Sequence, residues 1–286
     1  MRTVRTVAEL RETLAPERQA GRRVGLVPTM GYFHDGHLSL MRRAREETDV
    51  VVVSLFVNPA QFGPGEDFQA YPREEERDEQ LADAEGVDIL FAPSVEEVYP
   101  DGFQTTVSVV GGALVNSLEG AQRPGHFDGV ATVVTKLLNM VQPNVAFFGQ
   151  KDAQQALIVR RVVRDLDIPT RIAVCPIVRE PDGLAMSSRN AYLPTSDRER
   201  AVALRRALDA AEQAVAAGER SAAAVAVAAR GAMEPYGVEP EYLALVAADT
   251  LAPVDRIEQE VLVALAARVG PARLIDNTIL STNGRP

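Results

Sequence analysis

Two histidines that frame a glycine are the residues of this sequence with the clearest capacity for chemistry. His34 and His37 follow an apolar run and precede a stretch with helical spacing. A junction of this kind presents free backbone N–H groups and the positive end of a helix to an anion. Imidazole N–H groups can donate hydrogen bonds to phosphate oxygens as charge develops. The alternative is a helix cap at His34 with a core-facing His37, but two histidines around Gly36 favour the anion site.

A lysine in a glycine-bearing loop is the second candidate. An apolar run leads into Gly149, Gln150, Lys151 and Asp152 (the lysine loop), and a helical stretch follows. Arginine supplies nearly all the positive charge of the chain, whose only other lysine is Lys136. A lysine at such a junction can reach a phosphate as a point charge. Asp152 can cap the next helix or accept hydrogen bonds from a ribose, and the spacing leaves both roles open.

A run of small hydroxyl side chains beside an arginine is the third candidate. Met186, Ser187, Ser188 and Arg189 form this serine–arginine loop. Such residues can clamp a phosphate. Triplets of this type are common in surface loops, so the hypothesis depends on the presence of the histidine loop, residues 30–37, in the same chain.

Polar residues near three other predicted element ends are candidates for substrate binding. Gln61 and Gln155 carry neutral amides that can orient a carboxylate without quenching its nucleophilicity as a tight arginine pair would. Arg123 and His126 precede a predicted helix. They either contact a ligand directly or form a structural turn with a helix N-cap at Asp128, and the sequence leaves both possibilities open.

The elements that must position these residues alternate between short apolar runs and amphipathic stretches. Predicted strands cover residues 24–28, 50–57, 87–92, 145–148 and 172–178, and predicted helices cover residues 38–48, 74–85, 129–141 and 154–165. This alternation predicts an α/β fold, a parallel sheet with helices on both faces and ligands beyond the carboxyl ends of its strands. We also expect an extended piece at residues 104–110, near a sheet edge or in a flap.

The pattern changes after residue 178, which predicts a second domain. Alanine-rich helical stretches at residues 196–217 and 221–236 precede short strands at residues 241–247, 261–268 and 273–280. We therefore expect a first domain at residues 1–178 and a smaller α+β domain at residues 179–286. A second domain joined by a hinge of this kind can close over a ligand bound to the first.

Composition and charge limit the classes of protein to which this chain can belong. The formal net charge of −10 argues against a broad nucleic-acid surface. No apolar run reaches the about 18 residues of a membrane-spanning helix. The single cysteine, Cys175, excludes an internal disulfide and favours the cytoplasm, and its apolar surroundings predict a core position. Cys/His spacing typical of a metal site is absent from the sequence, so we assign no metal ligands.

Six segments together resemble one known family over essentially the whole chain: PTMGYFHDGHLSL, FVNPAQFGPGEDFQAYPR, RPGHFDGV, FFGQKDAQQ, GLAMSSRNAYL and RLIDN. In order and spacing they are similar to those of the pantothenate synthetase (pantoate–β-alanine ligase) family. The histidine loop by itself is typical of the wider HxGH nucleotidyltransferase superfamily. That superfamily has a Rossmann-like domain and a KMSKS-like second loop, here MSSRN.

The resemblance implies that pantoate and β-alanine are condensed with ATP and Mg²⁺ to pantothenate, AMP and pyrophosphate, through a pantoyl adenylate. It also implies a homodimer. Gln61 and Gln155 match the family's pantoate-binding amides, and His37 matches its proton donor. With His37, we expect His34, Lys151 and Arg189 to stabilise charge at the phosphates. The matched ATP contacts are Met30, Gly31, Tyr32, Phe33, His34, Asp35, Gly36, His37, Gly149, Gln150, Lys151, Asp152, Val178, Met186, Ser187, Ser188 and Arg189.

Two positions depart from the family pattern, and a third matches it in unusual surroundings. Gln150 and Ala153 stand where the family more often has Glu and Tyr. Asp78 matches a position near the Mg²⁺ and phosphates, but the acidic residues around it are unusual, and we assign it no role.

Two rival functions remain at this stage. A nucleotidyltransferase of the same superfamily, acting on another small acceptor, would leave AMP on its product, whereas the ligase releases free AMP. A non-catalytic nucleotide-binding module would show no turnover at all.

Overall fold

The computed structural model describes residues 1–281, which divide into two compact units. The first unit contains residues 1–110, 123–149 and 158–176, and the second contains residues 111–122, residues 150–157 and the chain from Ile177 onward. This division differs from the predicted boundary after residue 178. The difference arises because Leu118, Ala153 and Leu157 belong to an apolar cluster with Leu262 of the second unit.

The bounds of the elements are as follows. The strands are β1 (Arg2–Val4), β2 (Val24–Thr29), β3 (Val50–Leu55), β4 (Ile89–Phe91), β5 (Val145–Gly149), β6 (Arg171–Cys175), β7 (Pro240–Ala247), β8 (Val261–Val269) and β9 (Ala272–Leu280). The helices are α1 (Val7–Gln19), α2 (Asp35–Glu47), α3 (Glu75–Ala84), α4 (Val95–Val98), α5 (Ala113–Asn116), α6 (Leu118–Gln122), α7 (His126–Val141), α8 (Ala153–Asp165), α9 (Thr195–Ala201), α10 (Ala203–Ala216) and α11 (Ala222–Gly231).

A six-stranded parallel sheet forms the centre of the first unit. Its strand order is β1–β4–β3–β2–β5–β6. From β2 the chain moves outward through β3 to β4, and from β5 it moves the other way to β6. The order therefore reverses between β2 and β5, and ligands of open α/β sheets bind beyond the strand ends at such a point.

Apolar side chains explain why this sheet forms. Val50, Val51, Val52 and Val53 of β3 are all buried, as expected of a central parallel strand covered on both faces. Helix α2 contributes buried residues at helical spacing to the same core, including Leu38, Met41 and Ala44. The α/β architecture predicted from the sequence is confirmed.

The predicted strands and helices of this unit are present with small shifts of their ends, and four features differ. The sequence interpretation misses β1, α1 and α4. It also predicts an extended piece at residues 104–110, which forms no strand in the described chain. The backbone of this segment contacts α7 instead, since the Val107 N–H donates to Thr132 Oγ1 at 2.9 Å.

The second unit contains a three-stranded antiparallel sheet in the order β7–β8–β9. Alternate side chains of a strand point to opposite faces, and each face has its own apolar cluster. One cluster joins α10 and α11 to the sheet through Leu204, Leu208, Val225, Val263 and Leu265. The other joins α6 and the start of α8 through Leu118, Ala153, Leu157, Leu262 and Ala264.

The helices of the second unit are shorter than predicted. The stretch at residues 196–217 is two helices, α9 and α10, and the stretch at residues 221–236 is helical only to Gly231, followed by a separate turn at Glu234–Tyr236. Pro235 stands inside that turn and cannot continue a helix. Within residues 1–281, no helix is both long and apolar enough to cross a membrane.

A glycine allows α7 to touch the turn that follows β3. A Cβ added to Gly129 would lie 2.2 Å from Ala60 O and 2.6 Å from Gln61 Cα. The Asn58 side chain also donates to Gly129 O at 3.2 Å. Helix and turn are therefore in backbone contact, and any side chain at position 129 must separate them.

We expect Gly129→Ala to destabilise the protein by about 1–3 kcal/mol, the usual cost of overpacking, because the clash involves backbone atoms that cannot move aside. Thermal denaturation measures the effect. Gly231→Ala is the matched control, since a Cβ at Gly231 meets nothing within 4 Å. An equal loss of stability in both variants would contradict the close approach.

Candidate active site

The histidine loop connects β2 to α2 and brings both of its imidazoles to the start of that helix. His34 is the N-cap of α2, and its Nδ1 accepts from the Gly36 N–H at 3.1 Å. His37 Nδ1 lies 3.4 Å from the His34 N–H, and the two ring centroids are 4.1 Å apart. Since both Nδ1 atoms face backbone donors, the neutral rings carry their protons on Nε2. Capping and anion binding are therefore compatible roles for His34.

A buried carboxylate from another element shapes this loop. Asp78 of α3 is 1% exposed, and its two oxygens accept from the N–H groups of Tyr32 at 2.6 Å and Phe33 at 2.7 Å. Burial raises the pKa of Asp78, and the two N–H donors offset part of that effect. Asp78, to which the sequence assigns no role, thus binds the backbone of the histidine loop.

The same loop contains two residues in the left-handed backbone region, Gly31 at φ 87° and Tyr32 at φ 54°. A Cβ on Gly31 would lie 2.6 Å from Leu55 Cδ1 and 2.9 Å from Asp78 Oδ2, so glycine is required there. Tyr32 has a Cβ and occupies a conformation that costs about 1–3 kcal/mol. Its N–H bond to Asp78 helps to stabilise that conformation.

Gln61 lies in a turn after β3, and its side chain reaches the histidine loop. Its Nε2 is 3.0 Å from Met30 Sδ, and its Oε1 accepts from Asn58 Nδ2 at 3.1 Å. Asn58 in turn accepts from the Tyr99 hydroxyl at 2.8 Å. Burial raises the pKa of Tyr99 to about 12, so its hydroxyl stays protonated and can donate. Asn58 and Tyr99 orient Gln61, and neither residue is predicted from the sequence.

Arg123 and His126 contact the backbone of Gln61. His126 Nδ1 is 2.8 Å from Gln61 O, and its Nε2 is 3.0 Å from Arg123 Nη1. A carbonyl oxygen only accepts and a guanidinium only donates, so the proton of His126 is on Nδ1. Arg123 also forms a fork on Glu66, with two bonds of 2.7 Å. These contacts stabilise the turn, and direct substrate binding by the pair stays a prediction.

The alternative in which Asp128 is the N-cap of this helix is wrong. Helix α7 begins at His126, its N-cap is Gly125, and Asp128 lies in the first turn. Gly125 has a left-handed backbone with φ 81°, a conformation that suits glycine, and the chain enters the helix three residues earlier than that alternative requires.

The lysine loop leads from the end of β5 into α8, with Gln150–Asp152 forming a single helical turn. Asn277 of β9 donates to the carbonyl oxygens of Gln150 and Lys151, both at 3.0 Å. Lys151 Nζ lies 4.0 Å from Asp152 Oδ2. Gln155 is partly buried in the first turns of α8. Asn277 is a further supporting residue, and it lies in the family-like segment RLIDN, to which the sequence assigns no role.

The serine–arginine loop follows a small hairpin. Arg179 pairs with Ala185, and the Met186 N–H donates to Val178 O at 3.0 Å. Ser187 Oγ accepts from the Arg189 N–H at 3.3 Å. The backbone of Val178, which the resemblance assigns to ATP, therefore lies directly beside the start of this loop.

A cluster of charged side chains stabilises this hairpin, residues 178–186. Arg198 donates to Glu180 at 2.7 and 3.1 Å and to Asp182 at 2.8 Å, and Asn190 donates to Glu180 at 2.7 Å. Burial opposes ionisation of Glu180, but the bonds from Arg198 and Asn190 outweigh it and lower its pKa. The bond from Arg198 likewise lowers the pKa of Asp182.

Two other residues singled out by the sequence have structural surroundings. Cys175 is buried, and burial raises the pKa of its thiol, which agrees with the predicted core position. Lys136 places its ammonium 4.4 Å from the centre of the Phe103 ring. In residues 1–281 there is no group of three or more His, Cys, Asp or Glu side chains that could bind a metal ion.

Comparison with known proteins points to one family. The sequence model for pantoate–β-alanine ligases matches residues 2–279. A pantothenate synthetase from Moorella thermoacetica is 54% identical over 288 residues, which cover 99% of this chain and 100% of the relative.

Solved structures agree with this result. The pantothenate synthetase of Thermus thermophilus has a TM-score of 0.93 and 51% identity, over 97% of this chain and 99% of that one. The pantoate–β-alanine ligase of Francisella tularensis, complexed with beta-gamma ATP and β-alanine, has a TM-score of 0.81 and 34% identity. That similarity covers 100% of this chain and 99% of the other.

We expect Asp78→Asn to loosen the histidine loop, because an amide nitrogen would face one of two backbone N–H donors. Leaving one buried donor unpaired costs about 1–3 kcal/mol. Amide hydrogen exchange at residues 30–34 should accelerate. Asp83→Asn on the exposed side of α3 is the control, and equal exchange in both variants would contradict the role of Asp78.

We expect the ion cluster at Arg198 to stabilise the protein against acid. The pKa values of Glu180 and Asp182 are lowered in the folded state, so their contribution is present above the unfolded pKa of about 4 and is lost as pH falls through the folded values. Arg198→Met should therefore lose less unfolding free energy than the parent between about pH 7 and about pH 3. Urea denaturation at both pH values measures this.

The control for this experiment is Arg230→Met, which removes one arginine from the exposed end of α11. It should retain the acid sensitivity of the parent. A profile for Arg198→Met that is as steep as that of the control would show that the cluster does not carry the effect.

Proposed function

The chain belongs to the pantoate–β-alanine ligase family, and we propose that it joins its two substrates through a pantoyl adenylate made from ATP. As a member of this family it is an enzyme that ligates pantoate to β-alanine. In the first proposed step, a pantoate carboxylate oxygen attacks the α-phosphorus of ATP and pyrophosphate leaves. In the second, the amine of β-alanine attacks the acyl carbon, AMP leaves and the nitrogen loses a proton.

One observation carries the first step. The histidine loop follows β2 beside the point where the strand order reverses, and it presents two imidazoles at the start of α2. A carboxylate needs no protein nucleophile to attack phosphorus, because alignment and compensation of charge are sufficient. We assign donation to the phosphates to Nε2–H of His34 and His37, with His37 as the proton donor. The positive end of α2 adds to this attraction.

The lysine loop and the serine–arginine loop supply the other proposed ATP contacts. Lys151 contributes a compact positive charge, and Ser187, Ser188 and Arg189 contribute hydroxyl and guanidinium donors. The complex of the Francisella tularensis ligase with beta-gamma ATP and β-alanine supports ATP and β-alanine as substrates of this chain. The other predicted contacts of the histidine and lysine loops and the backbone of Val178 complete the proposed ATP site.

Pantoate binding is assigned to the amides of Gln61 and Gln155. The support for Gln61 is its orientation, since Asn58 fixes its oxygen and its nitrogen reaches Met30 of the histidine loop. Its position beside that loop suits a group that presents a carboxylate to the α-phosphorus. Arg123 and His126 assist by binding the Gln61 carbonyl.

We propose that Mg²⁺ enters with the phosphates of ATP. In phosphoryl-transfer sites this ion is usually bound by substrate phosphates with one or two carboxylates, so a protein-only cluster is not required. The residues assigned to the phosphates fit this arrangement, because Lys151 and Arg189 carry only hydrogen-bond donors and would leave the ion to the phosphate oxygens. The bound ion would neutralise charge on the phosphates.

Two further expectations follow from the sequence. A reducing compartment suits a chain with one cysteine, so we propose the cytoplasm as its location. A homodimer is proposed from the family resemblance alone.

The experiment that tests the mechanism measures exchange of labelled pyrophosphate into ATP. We expect exchange that requires pantoate and Mg²⁺ but not β-alanine, because the adenylate forms before the amine reacts. Addition of β-alanine should then yield pantothenate and free AMP in equal amounts. Lys151→Arg should slow adenylate formation by about two to three orders of magnitude, since a planar guanidinium does not replace a compact ammonium.

Three outcomes would contradict parts of this proposal. A covalent pantoyl-enzyme would exclude a free adenylate. A product that retains AMP would favour the rival nucleotidyltransferase acting on another acceptor. An adenylation rate for Lys151→Arg within about threefold of the parent would show that Lys151 only attracts ATP through its charge. The loss of a positioned donor would slow the reaction far more.

A further inference from the structure

Two adjacent polar residues are buried in the last strand of the second unit. Asp276 is 2% exposed and Asn277 is 3% exposed, on strand β9. Consecutive side chains of a strand point to opposite faces of a sheet. The two residues therefore reach different surroundings, and each one contacts the backbone or base of a different loop assigned to ATP.

Asn277 contacts the lysine loop. Both hydrogens of its amide are used, since Nδ2 donates to Gln150 O and Lys151 O at 3.0 Å each. Its Oδ1 lies 3.4 Å from Gln150 Nε2. Two consecutive carbonyl oxygens are thus fixed by one side chain from the strand. The direction in which the Lys151 side chain leaves the backbone depends on that contact.

Asp276 contacts the hairpin that precedes the serine–arginine loop. Arg179 donates to its two oxygens at 2.7 and 3.0 Å, and the same guanidinium donates to Gly183 O at 3.0 Å. Asp276 also accepts from the Asn277 N–H at 2.8 Å. The carboxylate therefore connects the base of the hairpin to the residue that binds the lysine loop.

Packing alone does not account for this pair. Leu274 and Leu280, on the same face of β9 as Asp276, are buried in an apolar cluster. Burying a carboxylate or an amide costs free energy unless its hydrogen bonds are satisfied. Here the bonds that satisfy both groups lead to the two segments whose geometry ATP binding requires.

We propose that Asp276 and Asn277 are positioning residues for adenylate formation, which set the lysine loop and the serine–arginine loop in one fixed arrangement. This inference rests on the proposed function, in which Lys151 and Ser187–Arg189 bind the phosphates of ATP. Neither residue touches substrate in this assignment. Their contribution is to the orientation of residues that do, and it belongs to the first step alone.

The test separates the two chemical steps. In single turnover, Asn277→Ala should slow pantoyl adenylate formation by about 10- to 100-fold, the scale expected when a reacting group is misplaced by about 1 Å. In the steady state, the same variant should raise the KM for ATP. The reaction of synthetic pantoyl adenylate with β-alanine should stay within about twofold of the parent, because it needs no contact with the leaving phosphates. Asp276→Asn should change both quantities in the same direction.

A matched control distinguishes positioning from loss of stability. Thr278 follows on the same strand, and its hydroxyl donates to Glu212 Oε1 at 2.8 Å. Thr278→Val removes that hydrogen bond and should leave adenylate formation unchanged at a temperature where all variants are folded. In a Lys151→Ala background, Asn277→Ala should have a smaller effect than in the parent, because both changes act on one group.

The inference is overturned if Asn277→Ala slows both steps by the same factor, or if it slows adenylate formation no more than Thr278→Val does. Full additivity of Asn277→Ala with Lys151→Ala would also overturn it. A parent protein that forms no pantoyl adenylate at all would instead contradict the proposed function, so the two failures are distinguishable.

Discussion

The geometry of the histidine loop depends on one buried carboxylate. Asp78 accepts hydrogen bonds from two neighbouring backbone N–H groups. This pair of bonds stabilises Tyr32 in a backbone conformation that a residue with a Cβ seldom adopts. The turn that results directs the chain into α2 with His34 as its cap. The proposed role of the two imidazoles in the first chemical step depends on this turn, because it places them at the end of the helix.

The sequence predicts those parts of the structure that depend on short stretches of neighbouring residues. Apolar runs identified the central strands, and the glycines and histidines between them identified the loop. The capping box of Thr6 and Glu9 is a local signal of the same kind for the start of α1. Asp78 and Asn277 act on loops 45 or more positions away in the chain. Contacts over such separations leave no periodic trace, so a single sequence does not reveal them.

The observed division of the chain has a physical cause of the same kind. Glu119 receives two bonds from Arg273, at 2.7 and 2.9 Å, and a third from the Tyr242 hydroxyl at 2.9 Å. Gln154 accepts from the Glu119 N–H at 2.9 Å. Burial raises the pKa of Tyr242, so its hydroxyl remains a donor. This buried network attaches residues 111–122 and the start of α8 to the antiparallel sheet, and no composition change marks either attachment.

Strand β1 has a consequence for the behaviour of the protein in concentrated solution. It pairs with β4, where Arg2 N–H donates to Asp88 O at 2.9 Å and Ala92 N–H donates to Val4 O at 3.0 Å. As the edge of the sheet, β1 has only three residues, and a very short edge strand offers few backbone donors and acceptors to a neighbouring molecule. The shortness of β1 therefore limits edge-to-edge pairing, and a longer strand at this position would be a better template for association without altering any substrate contact proposed above.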